Sequence, residues 1–389
     1  MNKIKNNIKI EYLYRFFSSF DITSAIWVLY LGYKGMTLVQ IGLLEGIFHI
    51  TGFLSEIPTG ALADLFGRRK IMIIGRVVSL ISAIIMLFSN SFLGFAIGFI
   101  LSAWGYNLNS GSEEALIYDT LKTLKREEEY LKLNGRINLI IEVSQGLAVF
   151  IGGLLSQIDF SISYITAIII GIFSLTISFK FVEVDIREEH EQRMSLINHF
   201  KTSINLLKNS NFLFNILMFF PIIYTFSAII YFYGQQFLSD AGYSRISISI
   251  IFLFNGVLSS IGSIISHKIY RRFKNMGWLT ISMMISFLII LMGLLPEKLS
   301  ILIFLLIGFL TAILQPISSK LINSIVKSEQ RATIISAESM FYSLMMIILF
   351  PVCGLIGDIF SLDFSFRIIG VVGILIVFIE LLIIRKKIE

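Results

Sequence analysis

The chain has 389 residues, of which 56% are hydrophobic and only 15% are charged. Soluble globular domains carry roughly 25% charged residues, so this composition excludes an ordinary water-soluble protein and indicates an integral membrane protein. The formal net charge is +6. The single cysteine, Cys353, excludes an internal disulfide and a cysteine-based metal cluster, and we expect no metal or other cofactor.

Apolar runs of membrane-crossing length follow one another along the whole sequence. About twenty helical residues are needed to cross roughly 30 Å of hydrocarbon. The runs predict an all-α membrane protein whose twelve transmembrane helices lie at about residues 8–32, 38–64, 69–89, 92–121, 129–155, 160–182, 211–238, 244–270, 276–295, 299–325, 332–360 and 363–384. The first run lacks the short apolar core and cleavage site of a signal peptide, so we expect it to be retained.

A polar stretch rich in glutamate divides the spans into two groups of six. We predict an N-terminal six-helix bundle over 1–183, a cytoplasmic linker over 184–210 and a C-terminal six-helix bundle over 211–389. The linker residues that recur at helical spacing are Ile197, Phe200, Ile204 and Leu207. They favour an amphipathic helix on the membrane surface, with a plain solvated tether as the alternative.

The two halves also echo each other in sequence. The fifth span contains Gly152 and Gly153 a few residues before an aspartate, and the eleventh contains Gly354 before Asp358. Related six-helix halves with pseudo-twofold symmetry are typical of a transporter whose site lies where the halves meet.

The distribution of basic residues predicts the orientation. With both termini in the cytoplasm, all but four of the 32 Lys and Arg residues fall at or near cytoplasmic ends, the four being Lys34, Arg245, Lys298 and Arg367. Cytoplasmic loops carry such an excess of positive charge, so we predict a multi-pass protein of the cell membrane with cytoplasmic termini.

A glycine-rich, charged turn joins the second and third spans. Its residues at fixed spacing are Gly60, Asp64, Gly67, Arg68 and Arg69. Small residues let membrane helices approach closely, and charge-assisted hydrogen bonds are strong in a low-dielectric interface. The alternative is that the basic residues of the turn only fix the topology.

Through this turn and its twelve spans in two sixes, the chain resembles the major facilitator superfamily over its whole length. The resemblance implies that Gly60, Asp64, Gly67, Arg68 and Arg69 form a conformational latch on the cytoplasmic side. It also implies an acidic partner at the end of the fourth helix, for which Asp119 is the candidate. Leu65 stands where the family usually has an arginine.

Acidic residues inside the spans are candidates for proton coupling, because a charge near the bilayer centre costs about 2.5 kcal/mol or more and rarely faces lipid. The candidates are Asp21, Glu45, His49, Glu114 and Glu142. Glu45 and His49 are one helical turn apart and are expected to share a hydrogen bond. As the alternative, Glu56 and either Glu113 or Glu114 are structural partners of Arg76, Lys122 or Arg136.

Other polar residues within the spans are candidates for the substrate cavity. They are Tyr14, Ser18, Asn107, Tyr224, Tyr231, Gln235, Gln315, Glu338 and Tyr342. Most of the intramembrane carboxylates fall in the N-terminal half, so we expect that half to carry proton coupling and both halves to contact substrate.

These patterns predict a secondary active transporter and not an enzyme, since no phosphate-binding loop, catalytic triad or nucleic-acid module is recognisable. An acid-rich cavity favours proton-coupled efflux of lipophilic or cationic compounds, in line with the drug:proton antiporter branch. That branch usually has an arginine in the fourth helix, which the segment 101–105 lacks. The alternatives are an uptake symporter or facilitator for a sugar or other small nutrient, and a non-transporting receptor or lipid scramblase. The expected partners are a small-molecule substrate, protons and the lipid bilayer, with no nucleic acid, and the protein is expected to work as a monomer.

Overall fold

The computed structural model describes residues 2–184, 211–273, 277–326 and 331–388. Across these ranges the regular elements are helices, so the predicted all-α class is confirmed. The predicted amphipathic helix of the linker lies outside the described residues. The arrangement of twelve spans in two six-helix bundles remains a prediction.

Residues 2–184 form seven α-helices. They are α1 (Asn2–Ser18), α2 (Trp27–Tyr33), α3 (Leu38–Phe66), α4 (Arg68–Phe88), α5 (Phe92–Thr123), α6 (Tyr130–Ile158) and α7 (Phe160–Ser178). A 3₁₀ turn at Glu127–Glu129 leads into α6.

The second part forms six more helices. They are α8 (Asn211–Asp240), α9 (Arg245–Phe273), α10 (Gly277–Met292), α11 (Glu297–Ile325), α12 (Arg331–Ile359) and α13 (Leu362–Ile388). Within the described residues, nine helices are long and apolar enough to cross a membrane, while α10 is apolar but shorter. The chain is therefore a multi-pass membrane protein.

The predicted first span is divided into two helices. Helix α1 ends at Ser18 and α2 begins at Trp27, with an irregular segment between them. In that segment Asp21 Oδ1 accepts hydrogen bonds from the Thr23 backbone N–H (2.9 Å) and hydroxyl (2.7 Å). Short polar side chains that bond to nearby backbone compete with helical hydrogen bonds, and this explains why the helix stops here.

Internal contacts group the chain into two compact units. The first comprises Met1–Tyr30 and Ile47–Arg193, and the second comprises Leu31–Gly46 and Met194–Glu389. Helix α3 therefore begins in the second unit and ends in the first. The bounds of the two predicted bundles stay a prediction.

In the first unit, α4 packs along α5 and α7, and α1 packs against α5, α6 and α7. The side chain of Asn7 fixes the start of α1. Its Nδ2 donates to the carbonyl of Val182 (2.9 Å) and to Thr120 Oγ1 (3.0 Å), and its Oδ1 accepts the Val182 N–H (2.9 Å). One buried amide thus joins α1 to α5 and to the segment that follows α7.

In the second unit, α8 packs against α11, α12 and α13. Helix α9 lies along α11, and α10 packs against α11 and α13. The buried side chains of this unit are mainly Ile, Leu and Phe, so the packing of α8 is apolar over most of its length.

Gly152 on α6 allows a close approach to the irregular segment after α1. A Cβ atom added at Gly152 would lie 2.0 Å from the carbonyl oxygen of Ile22, a distance that real Cβ atoms do not show. Because that oxygen belongs to the backbone, it cannot move aside as the end of a side chain can.

Replacing Gly152 by alanine is therefore expected to destabilise the protein by about 1–3 kcal/mol, the usual cost of overpacking. Thermal unfolding of the purified protein in detergent, followed by circular dichroism, measures the effect. Gly135→Ala on the same helix is the matched control, because a Cβ there meets no neighbouring atom within 4 Å. Equal melting temperatures for the two variants would contradict the assignment.

Candidate functional site

Four charged side chains and a tyrosine form a buried cluster in the first unit. Helix α1 contributes Glu11, Tyr14 and Arg15, α4 contributes Arg76, and α5 contributes Glu113. Both carboxylate side chains are at most 3% exposed, and both guanidinium side chains are at most 16% exposed. Two acids and two bases balance each other, which a low-dielectric site requires.

Glu113 is the centre of the cluster and has partners on both oxygens. Its Oε1 accepts the Tyr14 hydroxyl (2.6 Å) and the Arg76 Nη2 (2.7 Å), and its Oε2 pairs with Arg15. The Tyr14 hydroxyl also accepts from Arg76 Nε (2.7 Å). Glu113 thereby holds three helices together, and its many donors favour the ionised form.

Only one of the two carboxylate oxygens of Glu11 has a hydrogen-bond partner. Its Oε1 accepts from Arg15 Nε (2.7 Å), one helical turn further along α1. Its Oε2 is buried and has no hydrogen-bond partner. A buried oxygen without a partner is costly when it carries charge, and a proton on that oxygen removes much of the cost. The two acids of the cluster are therefore chemically unequal.

A polar recess lies between α3 and α5 in the same unit, with a volume of about 240 Å³. Its polar lining consists of Glu56, Thr59, Arg68, Asn107, Ser110 and Ser112, and two glycines and two alanines complete it. The lining offers carboxylate, guanidinium, amide and hydroxyl groups within one small space, and it contains no aromatic ring.

Asn107 is the best fixed of the recess side chains. Its Nδ2 donates to the Gly52 carbonyl (2.6 Å) and to Ser55 Oγ (2.8 Å), both on α3. These bonds join α3 to α5 where the recess forms, and they orient the amide oxygen of Asn107 away from its two acceptors.

The charged turn predicted between the second and third spans joins α3 to α4 at Gly67. Gly67 has φ +94°, which favours glycine, and an added Cβ would lie 2.8 Å from a carboxylate oxygen of Glu183. The Glu183 carboxylate accepts the backbone N–H groups of Arg68 (2.9 Å) and Arg69 (3.0 Å). An anion at a helix N-terminus is stabilising, so Glu183 fixes the start of α4.

The guanidinium of Arg68 forms an ion pair with Asp119 on α5. Asp119 is the residue for which the resemblance implied a role as acidic partner of the latch, and that role stays a prediction. Arg69 Nη2 donates to the Phe179 carbonyl (2.9 Å), and Gly60 lines the recess. Asp64 lies in α3, and its side chain is outside the described part of the structure.

The predicted proton-coupling residues do not gather in the cluster. Asp21 is exposed in the irregular segment after α1, and Glu114 and Glu142 are exposed on α5 and α6. Glu45 and His49 are both half-buried on α3. The structure brings Glu11 and Glu113 together with the two arginines instead. The coupling role of the five predicted residues stays a prediction.

The predicted cavity residues are distributed over both units. Asn107 lines the recess, Tyr14 lies in the buried cluster, and Ser18 donates to the Arg15 carbonyl at the end of α1. In the second unit, the Tyr224 hydroxyl is hydrogen-bonded to Ser318 Oγ (2.5 Å), and the Tyr231 ring packs on Phe252 and Phe304. Gln235 is buried and Gln315 is exposed. Glu338 and Tyr342 are half-buried.

Sequence reasoning missed the part that Glu11 and Glu183 play. Glu11 and Arg15 are four residues apart, a spacing at which opposite charges pair on one helix face, so that signal was present. The sequence around Glu183 carries no such signal, because its partners are about 115 residues away.

The amino-acid sequence matches a protein-family model and several related transporters. A family model described as Major Facilitator Superfamily matches residues 12–300, well over half of the chain. An uncharacterised MFS-type transporter of Bacillus subtilis, YxaM, is 23% identical over 90% of this chain and 88% of its own length. An uncharacterised transporter of Buchnera aphidicola is 28% identical over 54% of this chain. The chain spans about half the length of that relative and of a Methanocaldococcus jannaschii transporter.

Solved structures share the fold. A point mutant of the nucleoside transporter NupG superposes with a TM-score of 0.82 at 13% identity, covering 96% of this chain and 98% of its own. A D-xylose-proton symporter superposes with a TM-score of 0.73 at 14% identity, covering 97% and 96%. At these identities the likeness concerns the fold alone.

Removing the charge of Glu113 is expected to destabilise the first unit strongly. Glu113→Gln leaves Arg15 and Arg76 without their shared carboxylate, and breaking a buried ion pair typically costs about 3–5 kcal/mol. The neighbouring Glu114→Gln is the matched control, because Glu114 is exposed. Thermal unfolding of both purified variants measures the difference. If Glu113→Gln unfolds at the temperature of the control, the cluster does not hold the unit together.

Proposed function

Because the chain belongs to the major facilitator superfamily, we propose that it takes up a small polar solute across the membrane by alternating access. The polar recess between α3 and α5 carries this proposal. We also place the protein in the cell membrane with both termini on the cytoplasmic side, on the distribution of Lys and Arg residues.

The lining of the recess favours a polar solute. Glu56 and Arg68 provide one negative and one positive group, and Thr59, Asn107, Ser110 and Ser112 provide hydroxyl and amide groups. Several hydrogen-bonding groups in one pocket reject ligands that leave them unpaired. A lipophilic cation would instead be bound by aromatic faces, which this lining does not offer.

The size of the recess favours a small solute. Sites for drug-sized ligands usually measure about 300–1,000 Å³, whereas this recess measures about 240 Å³. A sugar or another nutrient of that size is the class that we propose. The expected efflux of lipophilic or cationic compounds has no support in the recess, and the alternative of nutrient uptake replaces it.

The names of the fold neighbours agree with this class. They are a nucleoside transporter, a D-xylose-proton symporter and a peptide transporter, all with polar solutes. Because the identities are 13–14%, these names support a polar solute without selecting one.

Proton coupling is assigned to Glu11. Its unpartnered Oε2 is the place in the buried cluster where a proton replaces an unsatisfied charge. Binding of the proton leaves Arg15 with Glu113 as its one ionised carboxylate partner, and the cluster changes from neutral to a charge of +1. Such a change at the junction of α1, α4 and α5 can bias a two-state equilibrium between conformations. Asp21 is the alternative proton site.

Filling the recess is expected to impair uptake. Ser110→Leu places an apolar side chain among the polar groups of the recess, and we expect KM to rise about tenfold or more, equivalent to about 1.4 kcal/mol. Proteoliposomes with an inward proton gradient are tested with labelled pentoses, hexoses, nucleosides and dipeptides. Ser260→Leu on α9 is the matched control, since Ser260 is an exposed serine of the second unit.

The assay also separates the two directions of transport. Accumulation of a polar solute by the wild type, lost in Ser110→Leu and kept in Ser260→Leu, supports the proposal. Expulsion of ethidium from cells, combined with no accumulation of any polar solute, would restore the efflux interpretation.

Glu11→Gln is expected to separate coupling from solute binding. Glutamine resembles the protonated acid, so solute exchange between two equal pools should persist while gradient-driven accumulation falls about tenfold or more. Glu128→Gln, at an exposed position in the 3₁₀ turn before α6, is the control and is expected to retain both activities. Normal gradient-driven accumulation by Glu11→Gln would refute the assignment, and Asp21→Asn would then be the next variant.

A further inference from the structure

The first part of α3, from Leu38 to Gly46, lies antiparallel against α12 within the second unit. A Cβ added at Gly46 would meet Ile347 at 3.7 Å, and one added at Gly42 would meet the Pro351 backbone at 2.6 Å. One turn further, a Cβ at Gly354 would lie 2.4 Å from the carbonyl oxygen of Leu38. Glycines on both helices therefore allow the two backbones to touch.

The Asp358 carboxylate binds the N-terminus of α3 at the end of this helix contact. Asp358 Oδ1 accepts the backbone N–H of Leu38 (2.9 Å), and Oδ2 accepts that of Val39 (2.8 Å). Both oxygens are thus used on the first free N–H groups of α3, 320 positions earlier in the chain. An anion there also interacts favourably with the helix dipole.

The aspartate that ends the matching segment of the first half has a local role. Asp159, seven residues after Gly152, accepts the N–H of Ser161 at the start of the next helix (2.6 Å). In the second half that local task falls to Ser361, whose Oγ accepts the Phe364 N–H (3.2 Å). Because Ser361 caps the start of α13, the Asp358 carboxylate is available to accept the N–H groups at the start of α3.

Tyr233 on α8 completes the contact. Its hydroxyl donates to the carbonyl oxygen of Leu38 (2.7 Å), and its ring stacks on Phe350 of α12 at 4.4 Å. Leu38 is consequently held through both its N–H and its carbonyl. Glycine packing brings the helices together, while Asp358 and Tyr233 supply bonds that exist only when α3 is in this position.

We propose that Asp358 is a latch residue that holds the start of α3 on α12, and that its bonds to α3 break and re-form during the transport cycle. In the predicted topology this contact lies on the extracellular side. Helix α3 is continuous from Leu38 to Phe66 and spans about 43 Å at 1.5 Å per residue. It begins in the second unit and ends at the Gly67 turn of the first, so Asp358 binds one end of a helix whose other end leads into the charged turn.

The latch is tested by the reactivity of a cysteine placed inside the contact. Gly46→Cys fits there, because a Cβ at Gly46 makes only an ordinary contact with Ile347. The native Cys353 is replaced by serine, and sealed vesicles are treated with a membrane-impermeant maleimide. Asp358→Asn keeps the size of the side chain but loses the charge and one acceptor. We expect labelling about tenfold faster than in the parent, which corresponds to about 1.4 kcal/mol.

Two further variants make the result specific. Tyr233→Phe removes one hydrogen bond to Leu38 and is expected to raise the labelling rate in the same direction by a smaller factor. Asp363→Asn, five residues from Asp358 and in the first turn of α13, is the matched control and should label at the parent rate. Thermal unfolding of each variant shows that it is folded, and Tyr233→Phe carries the test if Asp358→Asn is not.

Equal labelling of the parent, Asp358→Asn and Tyr233→Phe would overturn the proposal, as would an equal acceleration by Asp363→Asn. The measurement uses no solute. Its outcome is therefore independent of the proposed uptake, whose own test is accumulation in proteoliposomes.

Discussion

The pairing of buried charges around Glu113 is the interaction on which the first unit depends. Arginine and glutamate side chains buried in a membrane protein almost always pair with one another. Glu113 draws Arg15 of α1 and Arg76 of α4 to α5. The polar recess is built on α5 as well, one to two turns away at Asn107 and Ser110, so the cluster also fixes one wall of the proposed solute site.

The sequence predicted the bounds of α3 closely because a membrane span has a physical length. The predicted span 38–64 compares with Leu38–Phe66, and the glycine at position 67 does occupy a backbone conformation that favours glycine. Helical spacing also grouped polar residues by face, yet it did not tell which face is buried. Glu113 and Glu114 are neighbours in sequence, and only packing against α1 and α4 makes the first a buried partner and leaves the second exposed.

Contacts between distant segments account for the rest of what the sequence did not predict. The helix break after Ser18 depends on the Asp21 turn and on the close approach of Gly152 to the Ile22 carbonyl oxygen. The hydrophobic run from 8 to 32 is long enough for one span, so it did not indicate the break. Glu183 and Asp358 each cap a helix that lies far away in the chain, so no local pattern distinguishes them from solvated carboxylates. Composition and periodicity predict where the helices lie in the sequence, whereas the contacts of these residues determine how the helices pack.

The hydrogen bonds of Asn7 can form only late in synthesis of the chain. Its partner Val182 lies 175 residues further along the chain, and at about 5–20 residues per second this delay is roughly 10–35 seconds. Helix α1 leaves the ribosome long before its partners exist, while it already carries Glu11 and Arg15. These two charges neutralise each other within one helical turn, so α1 needs neither α4 nor α5 to balance its own buried carboxylate.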